Sequence, residues 1–292
     1  MNKRIDSTFT IQVDGRKNSK TLCLILAGYK PFLWENTLER VRKFVPSNYD
    51  VCLVSSGVYS EELKNKAEKN KWTYLTVEKN NVSIAQNIAI SNFPQAKEIF
   101  KIDEDIFVTK NFFETMIETY TNAEKNSYYC PGVIAPLITI NGVGYVKILS
   151  KLGLDKEYRK RFEDVRFASN DNKKIENDVA AAKFMWGVTG HVPQLDKINA
   201  SFQREDLRFF PSPVRFSIGA IYFKRQIWQD MGMFKIGSEN GLGADELNIN
   251  KYCYCKSRPI LISMNSVVGH LSFRNQNIEM EEFYKTNSIF FE

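Results

Sequence analysis

Three acids in succession, Asp103, Glu104 and Asp105, stand between apolar residues in the stretch EIFKIDEDIFVT at positions 98–109. A short run of β-branched and aromatic residues reads as a buried strand. Carboxylates at the end of such a strand are costly unless a cation meets them. Residues i and i+2 share a strand face, so Asp103 and Asp105 can reach one hard divalent cation. The plain alternative is a strand end whose acids face solvent or cap a helix near Asn111. Two later features bear on the choice. Asp245 and Glu246 follow Gly241 and Gly243 at the start of a helical stretch; acids there favour the helix dipole or form a general-base pair. His270, one of two histidines in the chain, ends an apolar run. Alone, a histidine at a strand end is more simply a satisfied structural residue than a metal ligand.

The elements that must hold these residues come from a chain of 292 residues, 43% apolar and 25% charged. That is ordinary globular composition. Lys and Arg outnumber Asp and Glu by 40 to 34, spread along the chain, which suits an anionic ligand or an anionic membrane surface. No dense basic stripe interleaved with aromatics is present, so nucleic acid is set aside. Cys23, Cys52, Cys130, Cys253 and Cys255 are an odd, scattered set with no second pair to match the C-x-C, so neither a disulfide framework nor a zinc site is expected. The N-terminal residues lack the apolar core of a signal peptide, and no run reaches membrane-span length. These features point to a cytoplasmic protein, with peripheral association at the inner membrane face left open.

In order, residues 9–13 alternate like a strand, and TLCLILAGY (21–29) is a buried strand. A helix follows Pro31, with Leu33, Thr37, Val41 and Phe44 on one face, and ends at Pro46. DVCLVSSG (50–57) and WTYLTVE (72–78) are further strands around a polar helix capped by Ser60. A short helix capped by Ser83 leads to the acidic strand. This alternation predicts an α/β fold with a mostly parallel, helix-covered sheet. Ligands bind such sheets beyond the carboxyl ends of the strands, where Asp103–Asp105 would lie. A helix is expected from Phe112. The Pro-interrupted strand at 130–142 is expected at an edge. Residues 150–210 read as an inserted helical or loop segment over the crevice. A strand and helix follow at 214–234, then a helix beginning at the acid pair, then the strand ending in His270 and a mobile link over 274–277.

This order of motifs resembles the family 2-like glycosyltransferases of GT-A fold. NNVSIAQN (80–87) is similar to that family's Asn-rich helix, with Val82 where Gly often stands. KIDEDIFV is similar to its Asp-x-Asp strand. Gly219, Arg225, Gly232 and Phe234 match a later Gly/Arg/Gly-x-Phe region, GLGADEL its acid-pair helix start, and GHLSF a late strand bearing a histidine. The match covers roughly residues 20–125 and 214–273.

The resemblance implies one GT-A domain over 1–292. Its parts would be a nucleotide-sugar half (about 20–125), an acceptor half (about 126–273) and a tail (274–292). It implies Mn²⁺ or Mg²⁺ on Asp105 and His270. Asp103 would lie beside them, on the metal or the ribose; Glu104, turned away by strand alternation, reads as structural while counted with the donor pocket. Ala27, Gly28, Tyr29, Ser55, Asn80, Ser83 and Asn87 would line the base and ribose. Ser55, Ser56 and Gly57 stand where family members often carry an acid for uracil. Asp245, with Glu246 as runner-up, would be the base of an inverting displacement. Trp186 and His191 could form a stacking platform for an acceptor or a buried anchor; Lys224 and Arg225 could touch diphosphate or be exposed.

The implied activity is hexosyl transfer from a nucleoside-diphosphate sugar, UDP-linked in the leading reading, to a glycan, lipid-linked or polymer acceptor in polysaccharide synthesis. The alternatives are a sugar-nucleotidyltransferase, which would want a Gly-rich basic loop where LAGYKPFLW has one Gly and one Lys, and a non-catalytic carbohydrate-binding relative. Sugar, linkage and oligomeric state are not legible.

Overall fold

The computed structural model describes residues 3–140, 142–163, 165–167, 173–237 and 243–292. Its first half alternates as expected: β1 (Phe9–Val13), β2 (Thr21–Leu26), α1 (Trp34–Phe44), β3 (Asp50–Ser56), α2 (Glu61–Asn70), β4 (Thr73–Val77), α3 (Val82–Ser91), β5 (Glu98–Asp103) and β6 (Ile106–Phe107). Ser60 caps α2, accepting from Leu63 N at 3.3 Å. The cap of α3 is Asn81, not Ser83: its Oδ1 accepts from Ile84 N at 3.1 Å, and Ser83 falls inside the helix. Either residue type can cap; Asn81 alone has the extended backbone a cap needs.

The remaining elements are α4 (Phe112–Asn126), β7 (Val133–Ile138), α5 (Gly144–Leu152), α6 (Asp155–Phe162), α7 (Lys173–Asn177), α8 (Val179–Met185), α9 (Leu195–Gln203), β8 (Phe209–Pro211), β9 (Ala220–Lys224), α10 (Arg225–Asp230), α11 (Ala244–Cys255), β10 (Ile260–His270) and α12 (Asn277–Thr286). Among the described residues ten strands join in one sheet, ordered β1-β4-β3-β2-β5-β9-β7-β10-β6, with β8 against β10. The block β4-β3-β2-β5 is parallel, and so is β7 with β10. Between them β9 runs antiparallel to both neighbours, so the sheet as a whole is mixed and flanked by helices.

β7 lies inside the sheet, although Pro136 marked it as an edge. Its pairing with β9 ends at Ile134. Its register with β10 breaks between Ala135↔Ile262 and Leu137↔Val267. Pro136 therefore occupies the irregularity, where its missing N–H breaks no regular ladder bond.

Among its described residues the segment 150–210 is largely helical, with α9 packed on β10 and α8 on α12 rather than over the crevice. The link after β10, expected to be mobile, is tied to α7 and the start of α8 through Gln276. Gln276 is buried, and its amide donates to Ile175 O and Asp178 O, both at 2.9 Å. No helix among the described residues is long and apolar enough to cross a membrane.

Phe100, on β5, is wholly buried among Phe112, Phe113 and Tyr222, with ring centroids 5.9, 5.0 and 4.9 Å away. This cluster clamps the acidic strand between α4 and β9. Phe100→Ala should lower the unfolding free energy by about 3–5 kcal/mol, read by urea denaturation. A loss below about 1 kcal/mol would mean that the strand does not depend on this packing.

Candidate active site

The parallel strands β2, β3 and β5 end at a cavity of about 450 Å³, the size range of small-ligand sites. Ala27, Tyr29, Ser56 and Asn80 are among its lining residues, together with Lys30, Lys101, Asp103, Glu104, Asp105, Asp245, Glu246 and His270. The two acid groups and the late histidine, far apart in the chain, thus meet in one place.

β6 brings His270 in. It pairs antiparallel with the end of β10, with His270 opposite Ile106, and Leu271 N donates to Asp105 O at 3.3 Å. His270 Nε2 comes to lie 3.3 Å from Asp105 Oδ2. From behind, the buried Trp186 indole donates to Leu271 O at 3.1 Å and packs edge-to-face with Phe107 and at a tilt with Phe291. Trp186 is therefore the buried anchor, not an acceptor platform. His191 is exposed, and its Nδ1 is 3.1 Å from Thr189 Oγ1.

The three acids have separate partners. Asp105 Oδ2 accepts from Lys30 Nζ as well as facing His270. Burial raises its pKa, but His270 and Lys30 outweigh burial and hold it well below the usual carboxylate range. Asp103 Oδ1 accepts from Lys101 Nζ at 2.5 Å, and that ammonium also donates to Ile218 O at 2.9 Å. Burial pushes the Asp103 carboxyl up to about 6; Lys101 opposes this, and the nearby Asp105 and Asp245 charges add to it.

Glu104 points to the β2–α1 loop. Its carboxylate accepts from Gly28 N and Tyr29 N, both at 3.0 Å, and from Trp34 Nε1 at 2.6 Å. Its alternation away from Asp103 and Asp105 was legible; its task of shaping the Ala27–Tyr29 loop was not.

The second acid pair opens α11. Gly243 caps it at φ 77°, a left-handed backbone that glycine adopts without strain. Gly241 lies outside the described residues. Asp245 is buried and accepts from Gln86 Nε2 of α3 at 2.7 Å. Glu246 accepts from Arg215 Nε at 2.5 Å; burial raises its pKa, with Arg215 opposing.

Several expected donor-pocket residues are committed elsewhere. Ser55 is fully buried, its Oγ donating to Ala27 O at 2.8 Å. Ser83 is fully buried within α3. Asn87 turns into the core, where Oδ1 accepts from Trp228 Nε1 at 2.9 Å and Phe234 N at 3.0 Å. Lys224 pairs with Glu98 at 2.6 Å, at the opposite end of β5 from Asp103. Arg225 donates to Ile90 O, Phe93 O and Ala96 O. Neither cation reaches the pocket.

Lys30, Lys101, Gln86 and Arg215 were not singled out as site residues. Lys101 was recoverable, since it stands two residues before Asp103 on the same strand face. Gln86 and Arg215 meet their acids only through tertiary packing.

Asp105 and His270 fit as two ligands of one cation. A carboxylate oxygen and an imidazole nitrogen each about 2.1 Å from a metal lie roughly 3 Å apart. No group of three His, Cys, Asp or Glu able to hold a metal occurs among the described residues, so bound oxygens from a ligand or water would have to complete the shell.

No family model and no curated protein matches the chain by sequence. Solved structures match it in three dimensions. GalNAc-T7, solved with UDP, GalNAc and Mn²⁺, gives a TM-score of 0.50 at 14% identity, over 90% of this chain and 48% of its own. S. aureus TarS 1–349 gives 0.51 at 12% identity, over 93% of this chain and 64% of that one. Its complex with UDP-GlcNAc gives 0.50 at 11% identity, over 88% and 60%. The chain has the GT-A fold. These neighbours are glycosyltransferases, and the chain spans about half to two thirds of their lengths. Within the GT-A fold, Gly219 gains a local reason. It faces Asp103, whose N–H donates to Gly219 O at 2.8 Å, and an added Cβ would lie 3.1 Å from Ile106 Cδ1.

Two outcomes follow from this geometry. Glu104→Gln, with one acceptor oxygen left for three donors, should cost about 1–3 kcal/mol, read by chemical denaturation; an unchanged midpoint would overturn the assigned role. Asp105 has a depressed folded pKa, so its contribution is present above the unfolded value of about 4 and is lost as pH falls below it. The stability gap between wild type and Asp105→Asn should therefore be widest near neutrality and narrow below about pH 4. A gap that widens in acid would contradict the pairing.

Proposed function

We propose that this protein is a metal-dependent, inverting glycosyltransferase that moves a sugar from a nucleoside-diphosphate sugar to a hydroxyl of a glycan or polymer acceptor. One observation carries the reading. A cavity beyond the parallel strands of a GT-A fold places the Asp105–His270 pair and the Asp245–Glu246 pair around one space. A UDP-linked donor is favoured because GalNAc-T7 was solved with UDP and Mn²⁺, and TarS with UDP-GlcNAc.

The nucleoside end is assigned to the part lined by Ala27, Tyr29, Val54, Ser56, Asn80 and Val82. Glu104 holds the Gly28–Tyr29 backbone that forms this wall. Asp105 and His270 would hold the divalent cation, with Asp103 beside them on the ribose or a metal-bound water. When bound, the cation supplies Lewis-acid neutralisation of the departing diphosphate.

Asp245 is the general base. Gln86 fixes its carboxylate, which accepts the proton of the acceptor hydroxyl. The new bond from that oxygen to the anomeric carbon forms as the bond from the same carbon to the phosphate oxygen breaks. Attack on the face opposite the leaving group inverts the centre. Glu246 is less suited to this work because Arg215 already occupies it.

A thermal-shift panel of nucleoside diphosphates and nucleotide sugars, each with and without Mn²⁺, tests donor class and metal together. Stabilisation by none of them would overturn the reading. Asp245→Asn should retain nucleotide binding while transfer falls about 10²- to 10⁴-fold; transfer at the wild-type rate would remove Asp245 from the base role.

A further inference from the structure

One oxygen in the pocket has two claimants. Lys30 Nζ donates to Asp105 Oδ2, and His270 Nε2 stands 3.3 Å from the same atom. The ammonium therefore engages the same oxygen that a cation shared with His270 would use. Asp103 and Glu104 act on Lys30 as well, so it sits in the field of all three acids. The Lys30 and Asp105 side chains are only 25% and 8% exposed, which leaves little water to screen the pair.

A divalent cation cannot join Asp105 at full strength while that ammonium remains. Two positive charges a few ångströms apart repel, most strongly where solvent is scarce. The chain is built to let the ammonium go without disturbing the loop. Tyr29 N is pinned by Glu104, and Pro31 opens a short 3₁₀ turn immediately after Lys30. Between these fixed points the lysine has a flexible four-carbon stem. Once displaced from Asp105, it needs another anion within reach, and a diphosphate entering the same cavity is one.

We propose that Lys30 is the resident counter-ion of Asp105, holding the cation position in the donor-free protein and passing to the diphosphate when metal and nucleotide arrive. This rests on the reading of the pocket as a nucleoside-diphosphate site. Its consequence is reciprocal coupling: nucleotide strengthens metal binding because it draws the ammonium away, and metal strengthens nucleotide binding equally. An ammonium released from Asp105 also adds a donor to the phosphates that the free pocket does not offer.

The test is Mn²⁺ binding, followed by the electron paramagnetic resonance of the free ion. It uses wild type, Lys30→Met and Lys30→Gln, each alone and with UDP or GDP in separate arms. Lys30→Gln keeps a hydrogen-bond donor for Asp105 without the charge, so it separates competition from simple loss of a contact. Without nucleotide, both variants should bind Mn²⁺ about tenfold more tightly than wild type, and the gain that nucleotide confers should shrink by about the same factor. Nucleotide-free affinity at or below the wild-type value in both variants would overturn the role of Lys30. Nucleotide bound by all three proteins with no Mn²⁺ taken up by any would overturn the metal reading instead, and the counter-ion role with it.

Discussion

A carboxylate withdrawn from water must be met by a cation or by several hydrogen-bond donors, or it does not stay charged. This pocket brings together five carboxylates, and each has its own answer. Asp103 has Lys101, Asp105 has Lys30 and His270, and Glu246 has Arg215. Glu104 has two backbone amides and an indole, and Asp245 has the Gln86 amide. Glu104 alone is met by main-chain amides and a buried indole, while the other four acids are met by side chains. That division sorts the acids. Glu104, held by backbone and a buried ring, shapes the wall; those held by side chains can exchange one partner for a ligand.

The frame is a consequence of strand direction. Parallel strands β2, β3 and β5 end together, and their loops open on one side. β5 then continues through Glu104 and Asp105 into the short β6, which leaves the main ladder and pairs with β10. That pairing joins an early strand to a late one within two residues of Asp105. The inserted helices and the tail act on the same point from outside the cavity. Trp186 holds Leu271 O, and Phe291 packs against both Trp186 and Phe107. Part of the chain with the weakest periodicity thus supports His270 without lining the pocket.

What could be read from sequence followed the range of the forces involved. The strand–helix alternation, the Ser60 cap and the acid pair at the start of α11 depend on local pattern, and the structure has them. The interior place of β7 was not legible, because it depends on a register break in β10 that Pro136 exploits. Asn87 and Ser55 have the residue types of a polar pocket, yet their partners are Phe234, Trp228, Ala27 and Tyr74. A polar side chain in a motif position serves whichever buried group lies nearest, and only packing decides that. Arg225 shows the same: its guanidinium satisfies carbonyls at the end of α3, groups that a helix terminus leaves without intrahelical partners.

Asp103 and Asp105 share a strand end and a side-chain type, yet their environments drive them apart. Lys30 and His270 on one oxygen outweigh burial and keep Asp105 ionised across the physiological range. Burial, with the neighbouring Asp105 and Asp245 charges, raises Asp103 to about 6 against the one lysine that opposes it. Paired acids pushed in opposite directions take different work. A permanent anion suits a position that must always balance positive charge, whether from an ammonium or a metal. A carboxyl closer to neutrality suits a position that exchanges hydrogen bonds with hydroxyls or water. The difference between the two acids therefore arises from what each one meets: Lys30 and His270 at Asp105, and burial beside Asp105, Asp245 and a single lysine at Asp103.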